Sequence, residues 1–327
     1  MAKITLGIGT SHTPMLNAPV SDWHKFIELD RIRAHLDKDG NALNYEQLLA
    51  IADPSIPREI TEEKFLYKHT KALAALSHLQ NVVKKAEIDI LIIVGDDQKE
   101  LYKDNNMPCI LMYRGETIRN VPLASRPGPE WARKASARYY EEAFEKEYPV
   151  ASELAMHLID HLVSSEFDVS CADSIQDGHG EGHAFGFIHN RLIQNFELPV
   201  VPLFLNTYYP PNQPSPKRCF NLGQQIRLAV ESWPSDKKVG VVGSGGLSHF
   251  TVDEDLDNIV MDSLRTKSFE DLYSIPKNKL NAGNSEIRNW ICMAGACEDL
   301  DLKFMEYYPA YRTPAGTGTG LCFAHWE

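Results

Sequence analysis

Four short apolar segments constrain the fold of this chain most: ITLGIGT (4–10), IDILIIVG (88–95), LPVVPLFLN (198–206) and KVGVVGSG (238–245). Each is rich in β-branched residues and ends at Gly, Asn or Thr, the pattern of a strand buried on both faces that runs straight into a loop. Between them lie amphipathic stretches with helical spacing, notably 66–85, 151–165 and 219–232. This alternation predicts an α/β fold with a mostly parallel central sheet flanked by helices. Ligands of such sheets collect at the carboxyl ends of the strands. The polar sequences that follow three of these strands, TSHTP, DDQKE and GGLSHF, are therefore expected to converge on one site.

Two polar, aromatic-dotted stretches, 16–65 and 102–150, interrupt the alternation. Neither carries enough apolar residues for a core of its own, so both read as lid-like insertions into a single domain spanning 1–327. Trp23 and Phe26 are the apolar contacts that the first would offer, either to the site or to ordinary packing. With 45 acidic against 33 basic residues the net charge is -12, which disfavours nucleic acid and anionic membrane as partners because both are polyanions. An anionic ligand then needs a local positive device. Six dispersed cysteines without a CxxC pair predict reduced thiols and a cytoplasmic protein. The opening MAKITLGIGTSHTP lacks the apolar core of a secretion signal, and no window approaches the roughly 18 apolar residues of a membrane span.

Twelve histidines are the main carriers of chemistry. His157 and His161 share a helical face but gain no third ligand there, and His24, His35, His69 and His78 sit in polar or helical sequence; packing and surface roles suffice for all of them. His12 is different, because it follows a buried strand directly and Pro14 stops that strand. A neutral imidazole held at a strand end suits a divalent metal as well as it suits a structural role. His249 follows a glycine-rich turn that brings a side chain close to a ligand, and an imidazole with an ordinary pKa of about 6.5 fits general acid or base work; capping of the next helix is the other reading. DGHGEGHAFG (177–186) carries His179 and His183 around Glu181 in the order H-x-E-x-H. Its three interleaved glycines oppose the helix that a zinc protease motif requires. No P-loop, G-x-S-x-G or dinucleotide fingerprint is present.

GTSHTP, DGHG, the block from TYYPPNQP through VVGSGGLSH, and SEIRNWICMAGA together resemble the class III extradiol ring-cleavage dioxygenases of the protocatechuate 4,5-dioxygenase β-subunit type. The likeness runs in the same order over nearly the whole chain. The single-chain form with long insertions is most similar to the gallate and 3-O-methylgallate dioxygenase branch, enzymes of aromatic-compound and lignin catabolism. The resemblance implies a non-haem Fe(II) held by two histidines and a glutamate. Matched motif by motif, His12 is the first ligand and Glu286 the carboxylate, while Gln98 stands where the family has its second histidine. An amide oxygen is a weaker donor than imidazole, and Asp97, Glu100 or His69 are the other candidates for that place. His249 matches the catalytic histidine and His179 a second active-site histidine that is not a ligand. Thr317, Arg312 and His183 are the residues to which substrate contact is assigned, the first two in RTPAGTGTG.

The implied partners are a small aromatic acid and O2, and the implied assembly is a homodimer. The ring would open beside a vicinal diol chelated to iron, with His249 moving the phenolic proton. Two rivals remain open on the sequence: a metal-dependent hydrolase using His12, Glu286 and a zinc-bound water, and a metal-poor relative that only binds phenolic acids.

Overall fold

The computed structural model describes residues 1–123, 128–194 and 197–327. Among them a nine-stranded sheet forms from β1 (Lys3–Thr10), β2 (Ile90–Gly95), β3 (Ile110–Tyr113), β4 (Ser170–Ala172), β5 (Val200–Leu205), β6 (Lys238–Ser244), β7 (His249–Thr251), β8 (Leu302–Tyr311) and β9 (Thr317–Trp326). The strand order is β7-β9-β1-β6-β2-β5-β3-β4, with β8 paired to β9. β1, β6, β2 and β5, which carry the four apolar segments, are adjacent and parallel. The antiparallel parts are β9 against β1, β7 and β8, and β3 against β5. The sheet is thus an α/β sheet with a parallel centre and antiparallel flanks.

The parallel centre is buried on both faces, and the two-residue period of a strand divides its side chains between two cores. In β2, Ile90, Ile92 and Val94 enter one core and Leu91 and Ile93 the other. The first core is covered by α2 (Ser152–Ser164), α3 (Pro216–Ser232), α4 (Glu254–Thr266) and α5 (Ile287–Ala296), and the second by α1 (Glu62–Ala86). Truncating a fully buried residue such as Ile92 to Ala would cost about 2–5 kcal/mol, because the rigid surroundings leave a cavity. Helix ends follow local chemistry: Thr61 caps α1 by accepting from the Lys64 amide, and Ser215 with Pro216 opens α3.

The first insertion folds into short helices at Phe26–Asp30 and Tyr45–Ile51 and a small hairpin pairing His35–Leu36 with Ala42–Leu43. Trp23 belongs to the core: it is fully buried beside Phe65 and donates its indole N–H to the Met15 carbonyl. Phe26 faces the cavity described below. The insertion is tied to the C-terminal strands by Asp30, whose carboxylate takes two hydrogen bonds from Arg312 at 2.8 and 2.6 Å. The second insertion supplies a hairpin, Thr117–Asn120 with Lys146–Pro149, and a helix at Glu130–Ala137; its residues 124–127 lie outside the described residues. Among the described residues no helix is long and apolar enough to cross a membrane.

Candidate active site

The carboxyl ends of β1, β6 and β2 deliver His12, the Ser244–Gly246 turn and Asp96 to one place, as expected for loops at the ends of parallel strands. Glu286 joins them from the start of α5. That helix is pinned over the sheet because the Trp290 indole donates to the Gly245 carbonyl at 2.7 Å. The close approach requires glycine at position 9, where a Cβ would fall 2.2 Å from the Trp290 ring.

His12 has its tautomer fixed by its neighbours. The Ser244 hydroxyl donates its only proton to the Ala184 carbonyl at 2.8 Å, so it must accept from His12 Nδ1, 3.0 Å away. Burial lowers the pKa of His12 and keeps it neutral. Its Nε2 is then a bare acceptor, and it has no hydrogen-bond partner although Glu286 Oε2 is 3.4 Å distant. Glu286 is almost wholly buried and accepts from the Gly246 amide at 3.0 Å and the Tyr208 hydroxyl at 2.9 Å. Burial opposes its ionisation, yet the His249 imidazole beside it holds its carboxyl well below the usual range.

His183 completes the group. Its ring packs edge-on to His12 with centroids 4.7 Å apart, and its Nδ1 lies 2.8 Å from Glu100 Oε2. The same oxygen accepts the His183 backbone amide at 2.9 Å. Gly182 makes room for it, since a Cβ there would sit 2.8 Å from that oxygen. Although burial works the other way, the Glu100 charge pushes His183 up to about 10, and His183 in turn holds Glu100 well below its ordinary value. A carboxylate behind an imidazole is the arrangement that orients metal-binding histidines.

His12, Asp96, His183 and Glu286 are all buried, with one ligand atom of each within 4.8 Å of the others. Asp96 Oδ2 is, like His12 Nε2, buried without a partner. Burial and the nearby Glu286 push the Asp96 carboxyl well above its ordinary value. An imidazole nitrogen and a carboxyl oxygen, both buried without partners beside a carboxylate, are a costly arrangement in a protein interior. A cation among them removes the mismatch, so this donor set fits a divalent metal.

His249 stands on the other side of Glu286, with Nε2 3.2 Å from Oε1. Its Nδ1 lies 2.9 Å from the Leu247 carbonyl, which accepts a proton from that nitrogen and leaves Nε2 to face the site. Burial and Glu286 push the Tyr208 hydroxyl well above the usual phenol value, so it stays a donor. His12, His183, His249 and Glu286 open onto a cavity of about 270 Å³ lined also by Phe26, Leu29, Arg33, Tyr139 and Phe250.

The structure brings His12, Gln98, Glu286, His249, His183 and Arg312 to this cavity and leaves His179 and Thr317 out of its lining. His179 is exposed, and its Nδ1 lies 3.2 Å from the Asp177 carbonyl, because Gly178 at φ 76° turns the chain outward before Arg119 clamps the His179 carbonyl. The histidine that joins His12 and His249 at the cavity is His183. Thr317 is fully buried and donates to Asp30 at 2.6 Å, and Arg312, though at the cavity wall, is committed to the same carboxylate. Gln98 is exposed at the open side, its Nε2 3.4 Å from Glu286 Oε1 and 3.2 Å from the Tyr208 hydroxyl. Of the other candidates for its place, Asp97 accepts the amides of Glu100 and Leu101, Glu100 backs His183, and His69 packs against Trp23. Asp96, Tyr208, Tyr139 and Arg33 were not singled out from the sequence. Only Asp96 had a signal, its place in the DDQKE loop at a strand end.

Residues 69–322 match the family described as the catalytic LigB subunit of aromatic ring-opening dioxygenase. A gallate dioxygenase of Pseudomonas putida is 34% identical over 99 residues, 29% of this chain and 28% of its own. A 2,3-dihydroxyphenylpropionate/2,3-dihydroxicinnamic acid 1,2-dioxygenase of Comamonas testosteroni is 33% identical over 100 residues, 31% of this chain and 30% of its own. One of the same description from Xanthobacter autotrophicus is 32% identical over 160 residues, 49% and 43%. The chain thus spans less than half the length of each of these relatives.

Proposed function

The chain belongs to the family of the catalytic LigB subunit of aromatic ring-opening dioxygenases, and from that premise we propose that it is an Fe(II)-dependent extradiol dioxygenase acting on a gallate-like or 3-O-methylgallate-like aromatic acid. One observation carries the reading: the unpartnered Nε2 of His12 faces Glu286 across 3.4 Å, with the His249 imidazole 3.2 Å from the same carboxylate, on one wall of a single cavity. His12 and Glu286 would hold the metal, with His183 and Asp96 beside them and Gln98 at the open side. When bound, Fe(II) supplies Lewis acidity toward a vicinal diol and a path for electrons from the ring to O2.

The chain's own residues do the rest. His249 Nε2 takes a phenolic proton from the diol and returns it to oxygen as the ring opens. The Tyr208 hydroxyl steadies Glu286 by donating to it. Phe26 and Leu29, from the first insertion, keep that side of the cavity apolar and limit water. Both atoms of O2 enter the opened product, so the ring itself is the reductant and no other is required. The proposal includes a single catalytic domain and a cytoplasmic location, from the composition, and a homodimer, from the resemblance to the single-chain dioxygenases.

The test is aerobic incubation of the Fe(II)-loaded protein with protocatechuate, gallate and 3-O-methylgallate, following O2 uptake and product absorbance. Uptake with at least one of them is expected. Tightly held zinc and no uptake with any catechol would sink the reading and favour a hydrolase.

A further inference from the structure

We propose that Arg33 recognises the negatively charged group, a carboxylate, of the aromatic ligand held in this cavity. This rests on the reading that the cavity takes an aromatic diol, and it assigns the substrate's anionic end to a residue of the first insertion rather than to the C-terminal strands.

Arg33 lines the same cavity as His12, Glu286 and His249 and is half-buried. Its guanidinium carbon lies 3.7 Å from the centroid of the Phe250 ring. Stacking on a ring fixes the plane of a guanidinium but leaves its N–H edges unused, and those edges match a carboxylate in a two-pronged hydrogen bond. Asp30 attracts Arg33 through space but gives its hydrogen bonds to Arg312 and Thr317, and among the described residues no acidic side chain forms an ion pair with Arg33. Arg312, the other arginine at the cavity wall, already spends Nε and Nη2 on Asp30. The cavity also holds the carboxylates of Glu286 and Glu100, and the chain carries a net charge of -12, so an anionic ligand is repelled unless one cation is left uncommitted. Arg33 is that cation. Its neighbour in the stack, Phe250, directly follows His249, so one short strand ties the anion-binding group to the proton-moving one.

Calorimetric titration under nitrogen, with and without Fe(II), separates this role from turnover. The probes are gallate and pyrogallol, which share the hydroxyl pattern and differ in the carboxylate. Wild type is expected to bind gallate at least about tenfold more tightly than pyrogallol, and Arg33→Met to weaken gallate about 10- to 100-fold with pyrogallol changed less than about threefold, in line with charged hydrogen bonds. Arg33→Lys should recover part of the loss. Retained pyrogallol binding shows that the fold survives; if Arg33→Met does not fold, the Arg33→Gln and Arg33→Lys variants give the same comparison. The proposal is overturned if wild type binds gallate no better than pyrogallol, if it binds neither, if the variants weaken both ligands alike, or if gallate binding is untouched. Loss of O2 uptake with the gallate preference intact would refute the dioxygenase reading and leave this one standing.

Discussion

His12 and Glu286, from opposite ends of the chain, stand 3.4 Å apart with the imidazole Nε2 unpartnered. Because Ser244 fixes the proton on Nδ1, the pair is two acceptors face to face, and an ion between them relieves the conflict. Glu286→Gln keeps the volume and removes the charge. Metal affinity measured by competition with a chelator should fall by more than about 100-fold, beyond what loss of a supporting residue causes. The rise in Tm that metal gives wild type through binding linkage should vanish as well. An unchanged Tm shift would show that the ion binds elsewhere.

In the proposed reading Gln98 stands at the place of a second histidine ligand. Its side chain is exposed and already 3.4 Å from Glu286. Gln98→His places an imidazole there without disturbing the buried residues, and should raise metal affinity by about tenfold or more, since neutral imidazole is a better donor than an amide. No gain would mean that His183 and Asp96 already fill the positions around the ion.

In the proposed mechanism His249 moves protons without holding the metal, so His249→Ala should lower kcat by about 10²- to 10⁴-fold while metal content stays at the wild-type value. Gly283→Ala should resemble it in a milder form. A Cβ on residue 283 would lie 2.0 Å from the His249 carbonyl oxygen and 2.3 Å from its ring, forcing the imidazole to shift at a cost of about 1–3 kcal/mol. Parallel assays of metal content and kcat check both; loss of metal in either variant would assign His249 to the ligand shell.

The Glu100–His183 pair sets a pH signature in the metal-free protein. Glu100 is depressed in the folded state, so its contribution is present above the ordinary glutamate pKa and is lost as pH falls through the lower folded value. His183 is raised to about 10, so its contribution is full below the ordinary histidine value of about 6.5 and disappears as pH rises through about 10. The window of full effect is roughly pH 4.5–6.5. Glu100→Gln should cost about 3–5 kcal/mol there, as breaking a buried pair does, and progressively less toward pH 10. Denaturant unfolding at several pH values checks this; a pH-independent difference would contradict it.

The parallel centre of the sheet was legible because a strand buried on both faces is an unbroken apolar run, and β1, β2, β5 and β6 all are. β9, read as TGTGLCFAHW, escaped notice because its glycines and threonines mimic a loop and two of its partners, β1 and β7, are remote in sequence. His12, Glu286 and His249 were legible through motifs tied to strand and helix ends. His183 and His179 could not be ranked from spacing alone. What separates them is the turn at Gly178 and the contact with Glu100, both products of the folded loop. Arg33 had no local signal at all, since its significance depends on Asp30 being occupied by Arg312 and Thr317.

The central claim is ring opening by O2, and the most direct measurement is stoichiometry. With Fe(II)-loaded protein and limiting gallate or 3-O-methylgallate, one O2 should be consumed per ring opened, with no hydrogen peroxide formed, and Glu286→Gln should be silent. O2 uptake that ends in peroxide with the ring intact, or ring loss without O2 uptake, would contradict the account.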